Sequence, residues 1–249
     1  MFAKEGYIAL ALAFFNVEGL PQNLENIPLE YFLNAIRWLK SHPNVKKKHI
    51  HLYGPSKGGE LVLLLASVYP DEINSAIAVA PSCVTFGGIP NEQLSSWTLE
   101  EKPFPIALSP SKEDVYKQLE SRNSVDLAQI FIEKMENTQS FDNAFIHVEN
   151  IQCPILLVSG AEDRMWPSSI YCDLILKRLD RFNSSIFRQH LCYEKAGHMI
   201  TNPYDPVMTE PFKHPVTGLF YEVGGSPQAQ ADACKDSWKI IIQFLSRYS

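Results

Sequence analysis

The sequence predicts an α/β fold, a mostly parallel sheet with helices on both faces, and three observations predict it. Short apolar runs bounded by turn residues alternate with segments of helical period. Gly54-Pro55-Ser56-Lys57-Gly58 falls where one such run gives way to a helix. Two further loops, at Gly160 to Asp163 and at Gly197-His198, each follow another apolar run.

The elements follow in chain order. Tyr7 to Phe15 has no polar alternation and ends at Asn16 and a Gly-Leu-Pro turn, so it reads as a strand buried on both faces. Leu29, Phe32, Leu33, Ile36 and Leu39 recur at steps of three and four, behind Pro28 and ahead of His42-Pro43, which predicts an amphipathic helix. After a linker from Asn44 to Lys48, His49 to Tyr53 is a short strand, and Gly59 to Ser67 is apolar enough for a buried helix. Strands follow at Ser75 to Ala80 and, after Cys153-Pro154, at Ile155 to Ser159. A helix around Ile170 to Leu179, a strand around Ser185 to Tyr193 and a helix from Ala229 to Leu245 close the chain. Between the middle strands, Cys83 to Asn150 is rich in proline and polar residues, with one helix expected from Asp126 to Glu136. That stretch is too long for a plain connection, so it reads as a lid-like excursion, at about 83–150, over the functional edge of a single domain spanning 1–249.

Composition narrows the function. With 249 residues, 45% hydrophobic and 20% charged, the chain is long enough and apolar enough to bury a core. A net charge of -6 argues against nucleic acid as a general partner, because phosphate contacts want a basic surface. No apolar run reaches the roughly 20 residues of a membrane-spanning helix. The apolar start is read as a buried strand of a cytosolic domain rather than as a signal peptide. The 5 cysteines (Cys83, Cys153, Cys172, Cys192, Cys234) lack any metal-like or C-x-x-C spacing, which fits a reducing compartment and indicates neither a metal nor a redox cofactor.

The G-x-S-x-G sequence carries the chemistry. At a strand-to-helix junction the chain turns so tightly that the neighbours of the serine must be small, and Ser56 Oγ is projected above the sheet. The next backbone N–H, that of Lys57, then faces a developing oxyanion. A serine needs a base, and the base needs a carboxylate to fix its tautomer. Asp163 and His198 supply these in the order Ser, Asp, His, with Glu162 as the competing acid.

The other histidines are less suited. His42, His49 and His147 lie at the wrong end of their strands, His51 and His190 fall inside strands, and His214 in a Pro-rich loop is a minor candidate. Lys46-Lys47-Lys48 enters its strand from the N-terminal side and reads as a solvated face. Arg164, Lys195 and Lys213 are nearer the expected catalytic edge and better placed to bind an anionic substrate.

Several motifs together resemble the C-terminal α/β-hydrolase domain of the acyl-CoA thioesterase and bile acid-CoA:amino acid N-acyltransferase family. They are Ala9 to Ala13, Leu20-Pro21, Leu29 to Phe32, Ser41-His42-Pro43, Gly54 through Leu61, Gly197-His198 and the stretch from Gly224-Gly225 to Trp238. The resemblance implies an α/β-hydrolase fold and attack on acyl-CoA thioesters by Ser56 with His198 and Asp163. Family members that conjugate bile acids carry cysteine where this chain has Ser56, and serine favours transfer to water.

Two departures stand out. Pro55 replaces an aliphatic residue, which is tolerable at a strand's last position. In the family, a strand, a glycine-rich loop with a second oxyanion donor and an N-terminal β-sandwich precede the segment matching Tyr7 to Phe15. In the sheet, that preceding strand normally lies between the strand matching Tyr7 to Phe15 and the one matching His49 to Tyr53. The 249 residues are therefore expected to be a truncated product or a chain whose true start lies upstream.

Three functions follow as expectations. The first is an acyl-CoA thioesterase, a cytoplasmic enzyme with a small-molecule substrate. The second is a carboxylesterase or dienelactone hydrolase-like enzyme, and the third an inactive fragment that only binds.

Overall fold

The computed structural model describes residues 1–45, 49–135, 138–213 and 218–249. The predicted linker's Lys46 to Lys48, the expected helix end at Glu136, and His214 lie outside the described residues. In chain order the elements are β1 (Ile27–Pro28), α1 (Leu29–Ser41), β2 (His51–Pro55), α2 (Lys57–Val68), β3 (Ser75–Val79), β4 (Trp97–Leu99) and β5 (Lys102–Pro103). Then come α3 (Lys112–Leu119), α4 (Leu127–Lys134), α5 (Thr138–Asn143), β6 (Ile155–Gly160), α6 (Ser168–Arg181), β7 (Arg188–Tyr193), β8 (Phe212–Lys213), β9 (Phe220–Tyr221) and α7 (Pro227–Tyr248).

The main sheet has the order β2-β3-β6-β7 and is parallel throughout. Its two central strands are buried along their whole length, which is why they read as unbroken apolar runs. Period-two alternation divides them between two cores. Ala76, Ala78, Ile155 and Leu157 face Leu61 to Ala66 of α2 and Tyr171, Cys172, Ile175 and Leu179 of α6. Ile77, Val79, Leu156 and Val158 face Ala233, Ile241, Phe244 and Leu245 of α7. The alanines of β3 leave room for the leucines of α2 on the first face.

The predicted strand over Tyr7 to Phe15 does not form. The segment belongs to no helix or strand, and among the described residues its backbone from Ile8 to Phe15 makes no backbone–backbone hydrogen bond. The Tyr31 hydroxyl donates to the carbonyl of Ala13. Leu12, Phe14 and Phe15 pack against the first core, while Ile8 and Leu10 are 48% and 43% exposed. An apolar run specifies burial, but a strand also needs a neighbour with free ladder groups. β2 is an edge of the main sheet, and no described strand pairs with its outer side.

The excursion between β3 and β6 holds more structure than its sequence advertised. β4 pairs in parallel with β1 and antiparallel with β5 in a separate three-stranded sheet. Besides α4, where a helix was expected, α3 and α5 form. α3 buries only Val115, so its apolar period is faint. A reciprocal cap starts it, with Ser111 Oγ accepting from Asp114 N–H and the Asp114 carboxylate accepting from Ser111 N–H. Among the described residues no helix is long and apolar enough to cross a membrane.

Candidate active site

The carboxyl ends of β2, β6 and β7 converge on one set of side chains. Ser56 lies between β2 and α2 with φ 54° and ψ -122°, a backbone conformation that costs on the order of 1–3 kcal/mol and persists only where its surroundings enforce it. Enforcement comes from both sides of the turn. Ser56 N–H donates to Val79 of the adjacent strand at 2.8 Å, and its carbonyl accepts from Gly59 and Glu60 of α2. A side chain at Gly54 would lie 2.2 Å from the Gly58 carbonyl oxygen, so only glycine lets strand and helix approach this closely. Pro55 occupies the last position of an edge strand, where a missing donor is tolerated.

His198 Nε2 is 2.8 Å from Ser56 Oγ, and His198 Nδ1 is 2.9 Å from Asp163 Oδ2. Histidine and aspartate are each 7% exposed. The carboxylate is held on both oxygens, with Oδ1 accepting from the backbone of Met165 and Trp166 and Oδ2 from Ser168 Oγ at 2.6 Å. The Trp166 ring stands edge-on to the imidazole at 5.8 Å, anchored by its indole N–H to the Ala80 carbonyl.

The histidine loop is fixed by the chain beyond it. His198 N–H donates to Val223, and Gly197 N–H to the buried side chain of Gln230 on α7. Gly224, at φ 75°, threads between this loop and the acid loop, where a side chain would lie 1.8 Å from the Glu162 carbonyl oxygen. Trp166, Ser168 and Gln230 carried no sequence signal for these roles, since each acts through three-dimensional neighbours. Gly224-Gly225 was visible only as a motif.

The remaining candidates fall elsewhere. Glu162 is exposed and its neighbour Asp163 meets the histidine. The Lys57 backbone N–H is at the first position of α2, where the helix ladder offers it no acceptor. Arg164 is engaged with Glu222 and Asp126. Lys195 is exposed on the loop leading to His198, and Lys213 is exposed on β8.

His51 pairs with Ser75 and His190 with Ser159, both within the main sheet. Burial, aided by His49, pushes the His51 imidazole down to about 4. His147 pairs with Glu149, and His42 ends α1. Among the described residues no group of three or more His, Cys, Asp or Glu is arranged to hold a metal ion.

A parallel sheet with a strained serine at a strand-to-helix elbow, an acid after a later strand and a histidine after the last defines an α/β-hydrolase. Residues 27–249 match the family described as BAAT / Acyl-CoA thioester hydrolase C terminal, and the chain belongs to that family. It is 32% identical over 248 residues to acyl-coenzyme A thioesterase 1 of Homo sapiens, covering 100% of this chain and 55% of that protein. It is also 32% identical over 247 residues to the mitochondrial acyl-coenzyme A thioesterase 2 of Mus musculus, covering 99% of this chain and 51% of that protein. The chain thus spans little more than half the length of these relatives. Among solved structures, the uncomplexed acylaminoacyl peptidase of Pyrococcus horikoshii is similar with a TM-score of 0.49 at 16% identity, over 88% of this chain and 27% of that one.

Proposed function

We propose that the chain hydrolyses acyl-CoA thioesters to free fatty acid and coenzyme A through an acyl-enzyme on Ser56. The carrying observation is the continuous hydrogen-bonded series Ser56–His198–Asp163 at the elbow of a chain that belongs to a thioester hydrolase family. Ser56 Oγ attacks the thioester carbonyl carbon while His198 Nε2 takes its proton, and Asp163 stabilises the imidazolium. The Lys57 N–H donates to the oxyanion of the tetrahedral intermediate. Collapse breaks the C–S bond, and His198 returns the proton to the departing thiolate. A water then attacks the acyl-enzyme, giving its proton to His198, which passes it back to Ser56. Lys195, exposed beside this loop, is the cation we assign to the phosphates of coenzyme A. Arg164, already met by two carboxylates, has a weaker claim.

The test is release of free coenzyme A from short, medium and long acyl-CoAs by the purified chain, with simple esters as a parallel panel. Acyl-CoA turnover that falls to background in Ser56→Ala supports the reading. Preference for simple esters would favour a carboxylesterase, and binding without turnover by a folded chain would favour a module that only binds.

A further inference from the structure

Glu60 is 0% exposed, a setting in which a carboxylate is almost never found without partners. Its Oε1 accepts from the Lys57 ammonium at 2.8 Å and from the Trp97 indole N–H at 2.7 Å, and its Oε2 accepts from the same ammonium at 3.0 Å. Lys57 Nζ also donates to the Phe86 carbonyl at 3.0 Å, an oxygen shared with Ser96 Oγ at 3.1 Å. Burial pulls the lysine down and the glutamate up in pKa, and each partner opposes the shift of the other.

A buried ion pair is not explained by stability, because apolar residues of similar volume often serve as well or better. What sets this pair apart is where its two ends are tied. The backbone of residue 57 follows the strained serine directly, so its N–H points wherever the turn leaves it. Its side chain runs down to Glu60, one helical turn on, and through Glu60 and Phe86 to the excursion. Trp97 lies on β4, and the Phe86 ring stacks at 6.0 Å on Trp166, the ring that supports His198. The pair therefore joins the elbow, the excursion and the histidine's support at one buried point.

We propose that Glu60 is a positioning residue for the oxyanion donor, holding the Lys57 side chain against the excursion and thereby fixing the Lys57 backbone N–H beside Ser56. The proposal rests on Ser56 being the nucleophile. A loss of this positioning weakens the transition state and leaves ground-state binding intact.

Two ligands separate these effects. A trifluoromethyl ketone analogue of acyl-CoA forms a tetrahedral oxyanion on a serine, whereas the matching thioether analogue binds without forming one. Glu60→Gln keeps an acceptor for Trp97 but removes the charge that holds Lys57. The double variant Lys57→Met with Glu60→Gln removes both charges and serves if the single variant does not fold, as judged by melting temperature and circular dichroism.

In the folded variant, kcat is expected to fall about 10-fold to 10²-fold, part of the 10²–10³ that a whole oxyanion donor supplies, with KM within about two-fold. Ketone affinity should fall by the same factor, and thioether affinity should hold. An equal loss for both ligands, or no loss for either, overturns the positioning role and leaves Ser56 as nucleophile. A ketone bound as tightly by Ser56→Ala as by the unaltered chain overturns the nucleophile assignment, and the Glu60 proposal with it.

Discussion

Asp163 meets His198 through the same oxygen that accepts from Ser168, while its other oxygen is occupied by two backbone donors. With its rotamer locked in this way, Asp163→Asn should keep its place and present the wrong polarity to His198 Nδ1. A drop in kcat on the order of 10⁴, with an unchanged circular dichroism spectrum, is the expected outcome in the thioesterase assay. A second prediction concerns His51, whose imidazole sits near 4 in the fold against about 6.5 in an unfolded chain. Between those values the unfolded chain takes up a proton that the fold refuses. The stability this residue contributes above pH 6.5 is therefore lost as pH falls toward 4. Urea midpoints at pH 7 and pH 5 should drop further for the unaltered chain than for His51→Gln. At this scale, Ser56, Asp163 and His198 were legible because each occupies a loop after a recognisable strand. Ser168 and Trp166 were not, since their use depends on how α6 turns back under the acid loop.

The elbow sets apart two glycines that look equivalent in G-x-S-x-G. A methyl at Gly54 would collide with the Gly58 backbone at 2.2 Å, whereas one at Gly58 would meet only the Pro55 ring at 3.5 Å, ordinary contact. Gly54→Ala should therefore lower stability by about 1–3 kcal/mol and displace Ser56, with activity falling alongside the melting temperature. Gly58→Ala should stay within about 1 kcal/mol of the original, since alanine suits a helix better than glycine. Comparing the two melting temperatures checks both statements. Among the elements, α1, α2, α6 and α7 were legible because each lays a wide apolar stripe on a core. α3 was not, because a cap rather than a stripe defines it. Tyr7 to Phe15 misled for the opposite reason, with strand-like composition and no strand beside it.

Across the whole molecule, the alternation of strand and helix announced a parallel sheet, and the long stretch between β3 and β6 carries β4 and β5 outside that sheet. Composition could not show that this stretch takes part in a small sheet, because β4 and β5 are only three and two residues long, with β4 paired to β1 and β5 to β4. Two leucine-rich stretches now stand in contrasting circumstances. Leu61 to Leu65 is wound into α2 beneath the sheet, where its peptide bonds are locked into the ladder of the helix. Leu10 to Phe14 belongs to no helix or strand, its backbone enters no backbone–backbone hydrogen bond, and Leu10 is on the surface. Brief digestion with chymotrypsin should therefore cut first after Leu10, Leu12 or Phe14, and mass spectrometry of the early fragments should find the α2 peptide bonds intact. First cuts within α2 would contradict this. The run that most resembles a buried strand is thus a stretch of chain open to a protease.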